Sequence, residues 1–322
     1  MRMKSKFFTF VTFLALSILF TSCTSQKNDA TLEDEPTYGT IHISADESLK
    51  PLIDTQITTF ESIYENAHIK VSYKSENEAV TDLLADSSRI VIVTRELFPQ
   101  ELKVFEDLKI VPHKTLVAFD AISVLVNSHN SDSLIRQERI IDLLSGKITK
   151  WNELVRDSKN NSTVKVIFDN NNSGIVNKLT LMQPDKKISN KNCFALKSSP
   201  EVVDYVAKHK DALGFIGLSW ISAGDSVTNK FLSTVTVAEI APLDTADGSG
   251  FYYKPYQAYI ARKFYPMMRR VYILSREARA GLGTGFSAFM AGDKGQRIVL
   301  KSGLLPGTMP IRLVELKKQN IQ

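Results

Sequence analysis

Cysteine is almost missing from this chain. Two residues in 322, Cys23 and Cys193, leave room for at most one intramolecular disulfide and for no thiolate cluster. Histidine is nearly as thin: His42, His68, His113, His129 and His209 are scattered, with neither HExxH nor CxxC spacing, so no metal site is expected. No internal repeat or long low-complexity tract is visible, which excludes solenoids and fibres. A basic stripe with interleaved aromatics is lacking too. The formal net charge is +5, but Arg2, Lys4 and Lys6 precede an apolar run, and without them 37 basic residues face 35 acidic ones, or +2. That balance is no nucleic-acid footprint. Chemistry is equally scarce: DGSGF at Asp247 has no flanking strand signal and no spaced His and Asp, and no metal cage or nucleophile dyad for ester hydrolysis is visible. The chain reads as a non-enzyme with no cofactor. What is present is globular composition, 43% hydrophobic and 23% charged, in a chain too long for one ordinary core. Two lobes are expected.

The N-terminus carries the most specific local signal. Arg2, Lys4 and Lys6 form a positive region, Phe7 to Phe20 an apolar one too short to span a bilayer comfortably, and Thr21 and Ser22 lead to Cys23. LFTSC resembles the signal peptide and lipobox of a bacterial lipoprotein, with Phe20 departing from the usual small aliphatic residue. The resemblance implies a signal peptide over 1–22, lipidation at Cys23 and a polar tether over 23–39; an ordinary secretory signal or an uncleaved anchor is the alternative. In each case the body is exported, and two or more acyl chains make a stable membrane anchor. With Cys23 acylated, Cys193 has no thiol partner in the chain.

The body reads as strand and helix in alternation. Ile41 and Ile43 mark a first strand, and Leu52, Ile53, Ile57, Phe60, Ile63 and Tyr64 the apolar stripe of the helix after it, with Pro51 in its first turn. Strands follow at His68–Tyr73, Ile90–Val93, Lys109–Val111 and Val117–Val126, the last interrupted by Asp120. Helices are expected through Val80, Leu83 and Leu84, over Glu101–Leu108, Pro200–Lys208, Glu277–Ala291 and Asp293–Ser302. This is an open α/β pattern, whose ligands lie beyond the carboxyl ends of its strands, and Ser48, Ser75 and Arg95 fall at such ends. The chain is organised around Val166–Thr180, VIFDNNNSGIVNKLT: a strand, a polar turn and a helix N-terminus at Ser173-Gly174. Unpaired N–H groups and about half a positive charge at such a terminus hold a small anion. Ser173 as a plain N-cap and Gly174 as a turn residue are the alternative.

Several segments in matching order, DESLKPL, LLADSSRIVIVTREL, FDAISVLVN, LLSGKITKWNEL, NNNSGI, DALGFIGLSWI, YPMMRRVYI and FSAFMAGDKGQRIVLKSGLLP, resemble the PstS-like phosphate-binding periplasmic proteins of ABC importers. The resemblance spans nearly all of the chain after the tether. It implies an α/β, type II periplasmic-binding-protein flytrap with two chain crossings at the hinge: lobe 1 over 40–125 plus 266–322 and lobe 2 over 126–265. It also implies inorganic phosphate or a similar oxyanion as ligand, an ABC permease as partner, and a ligand site at Ser48, the N–H of Leu49, Ser75, Ser173, Gly174, Ile175, Arg95 and Asp120.

Two departures bear on the ligand. Ile175 replaces a usual threonine, which deletes one hydroxyl and keeps its N–H. Asp169 stands where the family commonly has an arginine, and Glu47 and Glu76 flank matched turns; carboxylates facing an anion in a closed cleft are costly. Arg95 is the candidate replacement cation, with a surface salt bridge to Glu96 or Glu101 as its alternative, and Asp120 either contacts ligand or satisfies backbone groups in the hinge. A receptor fold turned to another ligand, to signalling or to adhesion is the competing reading.

Overall fold

The computed structural model describes residues 34–222, 233–243 and 250–311. The expected signal peptide, Cys23, the tether up to residue 33 and the Asp247 turn lie outside the described residues. The described part of the tether is not free chain. Asp34 is buried and accepts from Leu282 N at 2.6 Å, with Arg89 Nη2 at 2.8 Å and Arg279 Nη2 at 3.1 Å, so the packed body includes residues before Thr40.

In chain order the first elements are β1 (Gly39–Asp46), α1 (Lys50–Ile63), β2 (Ala67–Lys74), α2 (Glu76–Leu84), β3 (Ile90–Val93), α3 (Pro99–Asp107) and β4 (His113–Asn127). Next come β5 (Leu134–Arg136), α4 (Gln137–Ser145), α5 (Trp151–Leu154), β6 (Lys165–Phe168), α6 (Gly174–Met182), β7 (Cys193–Ala195), α7 (Ser199–Lys208), β8 (Ala212–Gly217) and α8 (Ser219–Ser222). The last are β9 (Val235–Val237), β10 (Glu239–Ala241), α9 (Gln257–Ala261), β11 (Met268–Ser275), α10 (Leu282–Ala291), α11 (Asp293–Lys301) and β12 (Leu305–Pro306).

One sheet, ordered β2-β1-β3-β11-β4-β8-β6-β7, runs through two halves. In the first, β1 lies parallel between β2 and β3, and β11 joins β3 to β4 antiparallel. In the second, β6 lies parallel between β7 and β8. The 15-residue strand β4 serves both, pairing with β11 up to Ala121 and with β8 from Ile122 onward. The chain returns beside that point: Ile122 N donates to Met267 O at 2.8 Å, and the buried Tyr265 hydroxyl donates to Ile122 O at 2.6 Å.

Each half has its own apolar packing. Leu52, Ile53, Ile57 and Phe60 form the buried face of α1, and Phe60 meets the Phe286 ring of α10 edge-on with centroids 5.4 Å apart. Each such side chain contributes about 1.5–3 kcal/mol on burial. In the second half Trp151, Val166, Phe168, Leu179 and Phe215 form the corresponding cluster.

Three expected elements differ. Lys109–Val111 is a turn, with Lys109 at φ +57° and Ile110 N bonded to Phe105 O, and the strand starts at His113. Asp120 does not interrupt β4, because a cross-strand arginine satisfies it. The helix expected from Glu277 starts only at Leu282, whose N–H is taken by Asp34.

Candidate binding site at the closed cleft

The carboxyl ends of β1, β2, β3, β6 and β8 face one another across the two halves, and the turns that follow them carry the polar residues. At the end of β1, Asp46 is fully buried. Its Oδ1 accepts from Ser48 N at 3.0 Å within the same turn, and its Oδ2 accepts from Gly174 N, across the cleft, at 2.9 Å. Gly174 opens α6, so this N–H is one of the donors left free by a helix N-terminus. A Cβ on Gly174 would strike Thr94 Oγ1 and Asp46 Oδ2, which is why no side chain fits there. Ser173 caps α6, accepting from Val176 N at 3.3 Å and donating to Asp169 Oδ1 at 2.7 Å.

The cation in this cleft is Arg269. It lies on β11 opposite Asp120 of β4, 3% exposed. Nε donates to Asp120 Oδ2 at 2.7 Å and Nη2 to Ser48 Oγ at 2.9 Å, while Nη1 stands 3.9 Å from Asp46 Oδ2 with no hydrogen-bond partner among the described residues. Asp120 also accepts from Leu218 N at 3.2 Å, tying the loop after β8 to the centre. Gly217 matters for the same reason: a Cβ there would come within 2.6 Å of Ser48 O.

Of the residues singled out in the sequence, Ser48, Ser173, Gly174 and Asp120 are brought together around Asp46 and Arg269. Leu49 and Ile175 are fully buried, their side chains in the apolar clusters of the first and second halves. Ser75 is an N-cap: it forms a capping box with Glu78 at the start of α2. Arg95 forks onto Glu101 at 2.8 and 2.9 Å and lies over the Phe98 ring at 4.1 Å, with only Nε turned toward Glu76 at 3.6 Å. Arg269 is not among the site residues expected from the sequence, although the sequence carries a signal for it. In YPMMRRVYILS, Arg269 shares a strand face with Val271 and Ile273; those two are buried, so their neighbour on that face is buried as well.

Carboxylates from the first half also close the cleft. Glu47 reaches Ser199 at the N-terminus of α7, accepting from its hydroxyl at 3.0 Å and its N–H at 3.3 Å. Glu76 accepts from Thr94 N and Oγ1 at 2.6 Å each and from Asn177 Nδ2 of α6 at 2.8 Å. Two helix N-termini of the second half are thus each met by a carboxylate of the first, Asp46 and Glu47, in the role a bound anion takes at such termini.

This crowding shows in the ionisation. Burial pushes Asp46 up to about 6 against the pull of Arg269, Glu47 up to about 7 against its bonds to Ser199, and Asp169 up to about 7 with Asp46 adding to the rise. For Arg269, burial works against the charged form, but Asp120 and Asp46 more than offset it and hold the guanidinium above its ordinary value. Asp169 Oδ2 has no partner among the described residues. Elsewhere Cys193 is a free thiol that burial pushes up to about 12. Among the described residues no group of three or more His, Cys, Asp or Glu could hold a metal ion, and no helix is long and apolar enough to cross a membrane.

A model of the PBP superfamily domain matches residues 30–294. Among curated proteins, the chain is 24% identical over 116 residues to the phosphate-binding protein PstS 2 of Streptococcus pneumoniae serotype 4, covering 36% of this chain and 38% of that protein. It is 22% identical over 116 residues to its namesake in Streptococcus agalactiae serotype V, with the same coverage. The chain therefore spans 38% of the length of the curated relatives it matches. Among solved structures, one described as a phosphate ABC transporter substrate-binding protein with bound phosphate, from Clostridium perfringens, superposes with a TM-score of 0.68 at 18% identity over 83% of this chain and 99% of that one. An ABC-type phosphate transport receptor from Vibrio cholerae superposes with a TM-score of 0.61 at 18% identity over 83% and 100%. These likenesses show the two-lobed fold, and the family match covers most of the sequence: the chain belongs to the PBP superfamily.

Proposed function

We propose that this chain is the solute-binding receptor of an ABC importer and that it holds inorganic phosphate or a similar oxyanion between its lobes. One observation carries the reading. Donors from both halves, the N–H groups of Ser48 and Gly174 with Arg269 behind them, converge on a single carboxylate, Asp46. An oxyanion entering the cleft takes over those donors, and the Asp46 carboxylate swings aside. Ser173 and the other N–H groups at the start of α6 complete the shell, and Arg95 stays on the rim with Glu101. Nothing in this arrangement needs a covalent step, so the receptor is non-catalytic.

The lobes pivot where β4 passes from its pairing with β11 to its pairing with β8, at Ala121–Ile122, and where the chain returns beside it at Met267–Met268. Lipid on Cys23 tethers the exported body to the envelope through the residues before Asp34; an acylated N-terminal fragment in mass spectrometry of the native protein is the expected result. Calorimetric titration with phosphate, repeated with sulfate, tests the ligand. Micromolar or tighter phosphate binding, about 8 kcal/mol or more, is expected, and no heat together with no thermal stabilisation by phosphate would refute it.

A second reading has its own support. Asp46, Glu76, Asp120 and Asp169 lie around one buried guanidinium, with Glu47 beside Asp46, which disfavours a multiply charged anion and favours a less charged or cationic ligand on the same fold. The titration separates the two, since under this reading phosphate fails where another solute succeeds.

A further inference from the structure

Beside Asp46 lies a cavity of about 470 Å³ whose lining includes Asp46, Glu47, Glu78, Asp82 and Asp169, with Lys74 and Lys197 as its basic residues among the described ones. Lys74 is already committed to Asp82 at 2.6 Å, and Glu78 to the Ser75 cap. Asp169 is not committed in this way. It is 1% exposed, lines the cavity, and keeps Oδ2 without a partner among the described residues. Glu47 has only hydroxyl and amide donors from Ser199, and its nearest cationic influence is the half-exposed Lys50. A buried carboxylate oxygen with no donor is costly to maintain and is satisfied best by a cation brought in with the ligand.

We infer that this acidic cavity is an ammonium subsite, and that the ligand carries a primary amine joined by a short linker to the oxyanion held at Ser48, Gly174 and Arg269. The class is an aminoalkyl phosphonate or phosphate monoester. The inference rests on the oxyanion reading above and narrows it. An ammonium offers three donors; the Glu47 carboxylate accepts from it, a turn of the Asp169 side chain brings the unpartnered Oδ2 to it as well, and its charge relieves the repulsion among Asp46, Glu47 and Asp169. Inorganic phosphate leaves that repulsion in place.

Titration of the purified protein at pH 8 with 2-aminoethylphosphonate, ethylphosphonate, inorganic phosphate and ethylamine tests this. The expected result is at least tenfold tighter binding of 2-aminoethylphosphonate than of ethylphosphonate, a ratio that Asp169→Asn and Glu47→Gln each reduce at least threefold. Equal affinity for the two phosphonates in the wild-type protein overturns the ammonium subsite and leaves the oxyanion reading standing. Binding of ethylamine as tight as that of 2-aminoethylphosphonate, with no binding of phosphate or ethylphosphonate, supports the subsite and removes the oxyanion reading. Silence from all four overturns both. Should either variant fail to fold, the wild-type pair of phosphonates still decides.

Discussion

Asp34 and Asp169 are both buried aspartates, and they lie at opposite extremes of satisfaction. Around Asp34, burial raises the pKa, but the Leu282 N–H and the guanidinium groups of Arg89 and Arg279 more than reverse that and hold the carboxyl below its usual range. Asp169 has one hydroxyl and one adjacent backbone N–H on Oδ1, nothing on Oδ2, and a pKa raised to about 7 by burial and by Asp46. The first ties the segment before β1 to the N-terminus of α10. The second is buried beside the cleft with its charge under-partnered. Fully partnered charges mark where this fold is held together, and under-partnered ones mark where it is organised to receive something.

Replacement of single groups should give effects of opposite sign in the two places. The largest is expected at the centre of the cleft, where Arg269→Met leaves Asp120 and Asp46 buried without their cation; a loss of about 3–5 kcal/mol is expected from urea unfolding. Asp34→Asn removes the charge that two arginines and a helix N-terminus share, and should lower stability by about 2 kcal/mol in the same assay. Asp169→Asn keeps an acceptor for Ser173 and removes an uncompensated charge, so it should raise stability by about 1 kcal/mol at pH 8. A destabilising Asp169→Asn would break the comparison.

The last effect expected is that of pH, which acts on Asp169 and Glu47 together. Asp169 and Glu47 keep protons up to about 7 in the folded protein, whereas carboxylates in the unfolded chain release theirs near 4. Between those values the folded state binds more protons, so stability declines as pH rises through the window. Asp34, Asp82 and Glu78, all shifted down, act in the opposite sense only at more acidic pH. The melting temperature should therefore fall by about 3–6 °C from pH 5.5 to pH 8, and Asp169→Asn should flatten that slope.

Much of the first layer was legible in local pattern. The stripe from Leu52 to Phe60 becomes the buried face of α1, and Ser173 caps α6 as its alternative role had it, while Ser75, expected at the ligand, caps α2. What local pattern could not carry was pairing at long range. Arg269 meets Asp120 across 149 positions of sequence, and only the register of β11 on β4 sets them opposite each other. The same holds for Asp34 on Leu282 and for Asp46 on Gly174, which turned a nominal tether into a packed segment and an acidic neighbour into the occupant of a helix terminus. Lys109–Val111 failed for a different reason: three residues of mixed character fit a strand or a turn equally well, and the left-handed Lys109 decides for the turn.

The account turns on Asp46 as the protein's own occupant of the oxyanion donors. Its most direct test is phosphate titration of Asp46→Ala beside the wild-type protein at pH 7.5. Removal of an internal competitor and of a like charge should tighten phosphate binding by tenfold or more, about 1.4 kcal/mol. Unchanged or weaker binding in the variant would contradict it, and Asp46 would then be a structural cap on α6.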